Sequence, residues 1–149
     1  MLRELEIDKE NEQILRLISR REVRRRNNIL FSLATEYGVS NLTVFNNYGY
    51  QGLYQESVNQ IKHRKKIMYS DNILDYMESE ELIANLFRIL QTTAILKRKI
   101  PSNWNYACQT HFYVGKKIRE LIIELGGELP ENMPTPTLSI EALEKEFML

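Results

Sequence analysis

The chain has 149 residues, a length that fits one domain with a real buried core. Its 43% hydrophobic and 27% charged residues exclude a disordered chain, and the net charge of zero argues against a dedicated nucleic-acid module. The single Cys excludes an internal disulfide, and no apolar stretch approaches the roughly 18 residues that a membrane span needs. We therefore expect one cytoplasmic domain over residues 1–149, without a membrane contact.

The first strong segment runs from about Asp8 to Tyr37 and lacks Gly and Pro, which predicts one long helix ended by Gly38. At 1.5 Å per residue such a helix spans roughly 40 Å, more than a small core can cover. Residues 14–26 hold six Arg and one Glu, whereas residues 1–13 hold five acids and two bases. The arginine-rich middle is therefore expected to be exposed, or to bridge two packed ends.

The following segments carry weaker helical signals. Val39 to Tyr54 is rich in turn-forming Asn and Gly and in anchoring Tyr, which predicts an ordered, irregular connection. Residues 57–66 can follow as a helix. Ser70 or Asp71 can cap a short helix that includes residues 73–77.

Two amphipathic helices come next. Ser79 opens the clearest one, whose apolar residues recur at spacings of three and four and which Pro101 ends. Thr110 is predicted to cap the next helix, and Gly126-Gly127 to end it in a left-handed conformation.

The tail after these helices contains three of the four prolines and is expected to be extended. It could act as a recognition strip, or it could deliver a last helix, Ile140 to Phe147 capped by Ser139, to the core or to a second subunit as a homodimer contact. Every strong period is near 3.6 residues. The predicted fold is all-α, a single domain of four to five helices with one long N-terminal helix.

Three blocks occur in an order and spacing that match a known family. They read NYGYQGLY from Asn47 to Tyr54, ILDYMESEELIANLFRILQT from Ile73 to Thr92, and THFYVGKKIRELIIELGGELPENMPTPTLSI from Thr110 to Ile140. On these blocks the chain resembles the DNA-damage-inducible protein D family. It departs from the family pattern at Gln55-Glu56 and at Glu78, where glycines are usual. The motif residues are Tyr50, Gln51, Gly52, Tyr54, Thr110, His111, Gly115, Gly126, Gly127, Pro134 and Pro136.

The resemblance implies a partner as well as a fold. Full-length members resemble a two-part protein, in which a DNA-binding domain of the baculovirus repeated-ORF type precedes the helical region that this chain matches. The family is associated with the SOS response and with antagonism of the RecA recombinase on DNA. A protein partner is therefore implied, either a RecA-type recombinase or another host protein, with nucleic acid reached through that partner.

Cationic side chains are the candidate partner-binding residues. The arginine stripe of the long helix could contact DNA phosphates or an acidic groove, or it could be a solvated face balanced by the flanking acids. The bases after the tyrosine-rich block could act with those rings on single-stranded nucleic acid, or the rings could serve as packing anchors. The candidates are Arg16, Arg20, Arg21, Arg24, Arg25, Arg26, Lys62, Arg64, Lys65, Lys66, Lys116, Lys117 and Arg119.

The sequence offers little for catalysis. Cys108 and His111 are three residues apart, but the cap predicted at Thr110 separates them, and a zinc site needs three or four ligands. Most carboxylates fall on predicted polar helix faces. We therefore predict no catalytic residues, no metal ligands and no cofactor.

These observations favour a non-enzymatic modulator of DNA repair or of the SOS response. The alternative is an inhibitor encoded by a phage or mobile element that captures a host protein, such as a defence protein, a repressor or a full-length family member.

Overall fold

The computed structural model describes residues 2–147, and the side chains of all of these except Leu2 and Leu5. The all-α prediction is confirmed, because the described residues contain no strand. The predicted number of helices is too low, because residues 2–147 form six α-helices together with two short 3₁₀ turns, Ile73–Tyr76 and Pro130–Asn132. The helices are α1 Leu2–Glu36, α2 Leu42–Tyr54, α3 Val58–Lys65, α4 Ser79–Lys97, α5 Trp104–Leu125 and α6 Ile140–Glu146.

The long helix α1 begins earlier than expected and ends as predicted, with Gly38 at a φ of 89°. It packs beside α4 and runs parallel to it. At one end, the Glu12 carboxylate accepts hydrogen bonds from the Ser79 backbone N–H and hydroxyl, at 3.0 and 2.7 Å. At the other end, the Tyr37 hydroxyl donates to the Leu96 carbonyl at 2.8 Å. These contacts hold α1 against the bundle along most of its length.

The predicted irregular connection from Val39 to Tyr54 is wrong, because most of this segment forms α2. The Asn41 side chain caps the helix by accepting a hydrogen bond from the Val44 backbone N–H at 3.2 Å. Glycine inside a helix costs roughly 0.5–1 kcal/mol relative to alanine. Here, Gly49 and Gly52 are buried where α2 crosses α5, so tertiary packing outweighs their poor helix propensity.

Thr110 does not cap α5, because the helix begins two turns earlier. Asn103 is the cap, accepting a hydrogen bond from the Tyr106 backbone N–H at 2.8 Å. Cys108 and His111 therefore share one helix, and both are buried. The predicted end of the helix is confirmed, since Gly126 has a φ of 74°.

Of the two remaining cap predictions, one is wrong and one is confirmed. Asn72, rather than Ser70 or Asp71, caps the 3₁₀ turn by accepting from the Leu74 backbone N–H at 3.0 Å. Ser139 caps α6 as predicted. Of the two destinations considered for α6, the structure shows the core of its own chain, where Leu143 packs against Leu17 of α1.

None of the described helices combines the length and the apolar character that crossing a membrane would require.

Candidate partner-binding surface

The arginine run of α1 divides into an inner and an outer set. Arg16 and Arg20 are buried, at 3% and 5% exposure. Arg16 donates hydrogen bonds to the carbonyls of Met77 and Asp75, both at 2.8 Å, and Arg20 forms an ion pair with the Asp75 carboxylate at 2.8 Å. These two arginines therefore tie α1 to the segment before α4.

The inner position of Arg16 has an electrostatic consequence. Burial lowers the pKa of its guanidinium, an effect that nearby carboxylates led by Glu78 oppose. Even a lowered arginine pKa leaves the side chain charged near neutral pH. Its charge is compensated within the fold.

Lys65 belongs to the interior. Its ammonium group contacts the Glu81 carboxylate at 2.9 Å, and both side chains are fully buried. The Tyr54 hydroxyl donates to the same carboxylate at 2.5 Å. Burial raises the pKa of Glu81, and the Lys65 charge opposes that rise. This pair is a structural element of the core.

The buried polar network continues along α4 to α5. Asn85 donates to the Tyr54 hydroxyl at 2.9 Å, and Arg88 donates to the Asn85 amide oxygen at 3.0 Å. Arg88 also contacts the His111 Nε2 and stacks 4.7 Å from the centre of the Tyr50 ring. We call the set Lys65, Glu81, Tyr54, Asn85, Arg88 and His111 the polar network.

His111 ends this network as a neutral imidazole. Burial, and then the charge of Arg88, hold its pKa well below the usual value. Nε2 faces a guanidinium and can only accept, so Nδ1 carries the proton and donates to the Phe45 carbonyl at 2.9 Å. The ring thus links α2, α4 and α5.

Three glycines allow α2 and α5 to approach closely enough for this contact. A Cβ on Gly52 would clash with the Phe112 carbonyl, and one on Gly49 would clash with the His111 ring. A Cβ on Gly115 would lie 2.7 Å from the Leu53 backbone nitrogen. The backbones of the two helices are therefore almost in contact.

The family-motif residues lie mainly at this crossing. Tyr50, Gly52, Tyr54, His111 and Gly115 are buried between α2, α4 and α5. The others lie around it: half-buried Gln51, buried Thr110, the C-cap glycines Gly126 and Gly127, exposed Pro134 and half-buried Pro136.

Two further candidates hold the tail to the helices. Arg119 forms a two-point ion pair with Glu131, at 2.8 and 2.6 Å, and Arg64 contacts Glu56 at 3.1 Å. Arg64 also donates to the Glu131 carbonyl at 3.0 Å. The hydrogen bond to Glu131 raises the pKa of Arg119. Burial raises the pKa of Glu131, but the hydrogen bond from Arg119 and the charges of Arg119 and Arg64 outweigh it, so that this pKa is lowered.

Other candidates have only local partners. Lys62 donates to the Tyr69 carbonyl at 2.6 Å, Arg26 pairs with Glu22 at 2.7 Å, and Lys117 lies 3.2 Å from Glu120. Pairs of this kind at the surface contribute little, typically about 0–1 kcal/mol.

The five candidates that remain to be described are all exposed: Arg21, Arg24, Arg25, Lys66 and Lys116. Within residues 2–147 none of their side chains forms an ion pair or a hydrogen bond. Arg24 and Arg25 lie one turn beyond Arg20 on α1, yet no side chain described in residues 2–147 compensates their charges.

The structure adds lysines that the candidate set lacked. Exposed Lys97 and Lys99, at the end of α4, line a shallow depression of about 580 Å³ together with Asn28, Ser32 and Glu36 of α1. At 3.6 residues per turn, Asn28 and Ser32 share a face with Arg24 and Arg25. We call Arg24, Arg25, Lys97 and Lys99 the cationic surface. Lys97, Arg98 and Lys99 are consecutive in the sequence, but only tertiary packing places them beside α1.

A second exposed feature is apolar. The start of α4 and the end of α5 form an open groove of about 310 Å³, lined mainly by hydrophobic side chains. Ile83, Phe87, Leu121 and Leu125 are 43–75% exposed there. Glu80 and Glu128 lie among the lining residues. Exposed apolar patches of this kind commonly mark protein contacts.

The reactive groups named from the sequence are enclosed. Burial raises the pKa of the Cys108 thiol, which favours the protonated form. Among the described residues, no group of three or more His, Cys, Asp or Glu is arranged to hold a metal ion.

Comparison with known proteins assigns the chain to a family. Residues 9–143 match the family described as the DinD C-terminal domain. The chain is 45% identical over 141 residues to DNA damage-inducible protein D of Escherichia coli strain K12, covering 90% of this chain and 50% of that protein. The chain thus spans about half the length of this relative. No solved structure matches. The family match extends from α1 into α6, and the chain belongs to the DinD C-terminal domain family.

Proposed function

We propose that this chain is a non-enzymatic modulator of DNA repair. It binds an acidic protein–DNA complex through the cationic surface, and the first candidate for this complex is a RecA-type recombinase filament. The relative from Escherichia coli bears the name DNA damage-inducible protein D, which supports a role in the response to DNA damage. The carrying observation is that Arg24 and Arg25 are exposed without a partner in the described part of the chain, whereas Arg16 and Arg20 of the same run are compensated internally.

The location of the charges supports binding rather than stability. Like charges four residues apart on a helix, as Arg21 and Arg25 are, repel by a few tenths of a kcal/mol. Within the fold, Arg24, Arg25, Lys97 and Lys99 receive no ion pair in residues 2–147 that would offset this cost. An acidic macromolecule would supply the missing counter-charge and would gain counterion release from DNA phosphates.

The non-enzymatic part of the proposal rests on how the reactive side chains are used. In the polar network, the Tyr54 hydroxyl is hydrogen-bonded to the Glu81 carboxylate, and His111 contacts Arg88. Cys108 is packed in the core. These groups serve the interior of the domain, which favours a role in recognition.

Charge reversal of the cationic surface tests the proposal. The variant carries Arg24→Glu, Arg25→Glu and Lys99→Glu, and its binding to RecA filaments on single-stranded DNA is measured at several salt concentrations. We expect the affinity to fall at least about tenfold, with a shallower salt dependence, because each lost phosphate contact removes close to one unit of slope. Inhibition of strand exchange should weaken in parallel.

A matched control carries Lys66→Glu, Lys116→Glu and Lys145→Glu, three exposed lysines away from this surface. It changes the net charge by the same amount and should retain binding. Equal losses in the two variants would contradict the cationic surface. Absence of any binding or effect of the natural chain at micromolar concentration would contradict the proposed function.

The apolar groove favours a second candidate, capture of a host protein by an inhibitor of phage or mobile-element origin. Its lining is mainly hydrophobic, so that binding there would depend weakly on salt and would not require DNA. The variant Phe87→Asp discriminates between the two. It should abolish capture through the groove and leave filament binding by the cationic surface intact.

A further inference from the structure

The outer face of α1 carries an apolar stripe that nothing in the described residues covers. Ile7, Ile14 and Ile18 are exposed by 48%, 39% and 59%. With 3.6 residues per turn, the three side chains fall within about 40° of one another around the helix axis. They point roughly 160° away from Val23, which lies in the core. Another helix can therefore reach this stripe without disturbing the bundle.

The spacing of the stripe is that of a helix-pairing seam. Ile7, Asn11, Ile14 and Ile18 follow one another at intervals of four, three and four residues, the a and d pattern of a heptad. Asn11 interrupts this apolar seam, and a polar side chain at such a position lowers the stability of a helical pair. A sequence of this kind is suited to one long helical partner.

The first turns of α1 lack support from the rest of the fold. Every side chain described between Arg3 and Asn11 is exposed. Isolated helical segments of that length are marginal in water, and packing of an apolar face is what normally stabilises them. A helix laid along the stripe would supply that packing.

The charges along α1 indicate what the partner helix is. Residues 1–13 contain five acids and two bases, and residues 14–26 contain six Arg and one Glu. Arg16 and Arg20 are buried in their own fold, so the free charges that an antiparallel pair brings together are Glu4 of one copy and Arg21 of the other. A parallel pair would instead place Arg21 against Arg21. The segment is complementary to itself in the antiparallel sense only.

We propose that two copies of this chain associate through an antiparallel pair of α1 helices. The heptad pattern pairs Ile7 with Ile18 of the partner subunit, and Asn11 with Ile14 of the partner subunit. At each end Glu4 meets Arg21 of the partner subunit. Arg25 falls in line with Ile7 around the axis of α1, so the pair adjoins the cationic surface at this residue and leaves Lys97 and Lys99 uncovered.

The mass of the chain in solution tests the association, by analytical ultracentrifugation between about 1 and 100 µM. We expect a dimer for the natural chain and a monomer for the double variant Ile14→Asp and Ile18→Asp. Both substituted side chains are exposed, so the helical circular dichroism of the bundle should persist. The control Ile123→Asp, at a 57% exposed position on α5, should remain dimeric. A monomer at 100 µM, or loss of the dimer in the control, overturns the proposal.

Cross-linking tests the direction of the pair in a Cys108→Ala background. The double variant Ile7→Cys and Ile18→Cys should form a covalent dimer on oxidation, whereas Ile7→Cys alone should not. Glu4→Arg should weaken the dimer at least about tenfold, and adding Arg21→Glu should restore it. Cross-linking by Ile7→Cys alone, or no restoration by the second charge change, contradicts the antiparallel arrangement.

Discussion

The polar network between α2, α4 and α5 and the cationic surface on α1 use similar side chains in opposite ways. In the network, the side chains of Lys65 and Arg88 are completely buried. Lys65 is paired with Glu81, and Arg88 contacts Asn85 and His111. On the surface, Arg24 and Arg25 are solvated and have no partner within residues 2–147. A buried charge needs a partner within its own fold, whereas an exposed charge can pair with another molecule.

The difference shows that charge count alone is a poor guide to a binding site. A buried pair gains Coulomb energy but loses hydration, so its main effect is the large cost of removing one partner. Removing a solvated arginine changes the free energy of unfolding very little. The two regions can therefore be separated by measuring stability and binding on the same variants.

The largest effect should follow from breaking the polar network. Lys65→Met leaves the Glu81 carboxylate buried without its cation, and we expect the free energy of unfolding to fall by about 3–5 kcal/mol. Urea denaturation measures the change. Lys116→Met, at an exposed position of α5, should alter stability by less than about 0.5 kcal/mol. A loss below 1 kcal/mol for Lys65→Met would show that the network is not structural.

A smaller effect should divide the arginine run of α1 itself. Arg16→Ala removes charged hydrogen bonds to two carbonyls and should cost about 1.5–3 kcal/mol of unfolding free energy. Arg24→Ala should cost less than about 0.5 kcal/mol, because its side chain is exposed. Equal losses in thermal or urea unfolding would remove the distinction between inner and outer arginines.

The smallest effect should appear as a pH dependence of the network. His111 stays neutral in the fold because its pKa is lowered, whereas in the unfolded chain it binds a proton below about pH 6.5. The unfolded state then holds more protons, so the free energy of unfolding should fall as the pH drops from 7 to 5. The limiting slope is about 1.4 kcal/mol per pH unit.

The variant His111→Gln isolates this contribution from the carboxylates, which titrate in both proteins. Its unfolding free energy should depend less steeply on pH over the same interval. Identical slopes in the two proteins would mean that His111 is protonated in the native state.

The sequence predicted the elements that depend on local patterns. Gly38, Gly126 and Ser139 act at helix ends as expected, because a left-handed glycine or a capping hydroxyl is a local property. The all-α class followed from the apolar periods. The helix α2 was missed, since its glycines are unfavourable locally and are accommodated only by the close approach of α5.

The assignment of the cationic side chains needed the fold. Arg20 and Arg24 are four residues apart, and only the position of Asp75, far away in the chain, makes the first of them internal. Lys65 resembled its neighbours in a basic run, yet it is paired with Glu81 in the core. Lys97 and Lys99 joined the site because α4 ends beside α1.

The glycine crossing has a consequence for the use of sequence signatures. Where two backbones are almost in contact, as at Gly52 and Gly115, the residues around them are selected by steric fit. Letters such as GYQGLY and YVGKK therefore identify domains of this shape, whatever those domains bind. Differences in partner choice among relatives should be sought on the outer faces of α1 and α4, where substitution leaves the architecture unchanged.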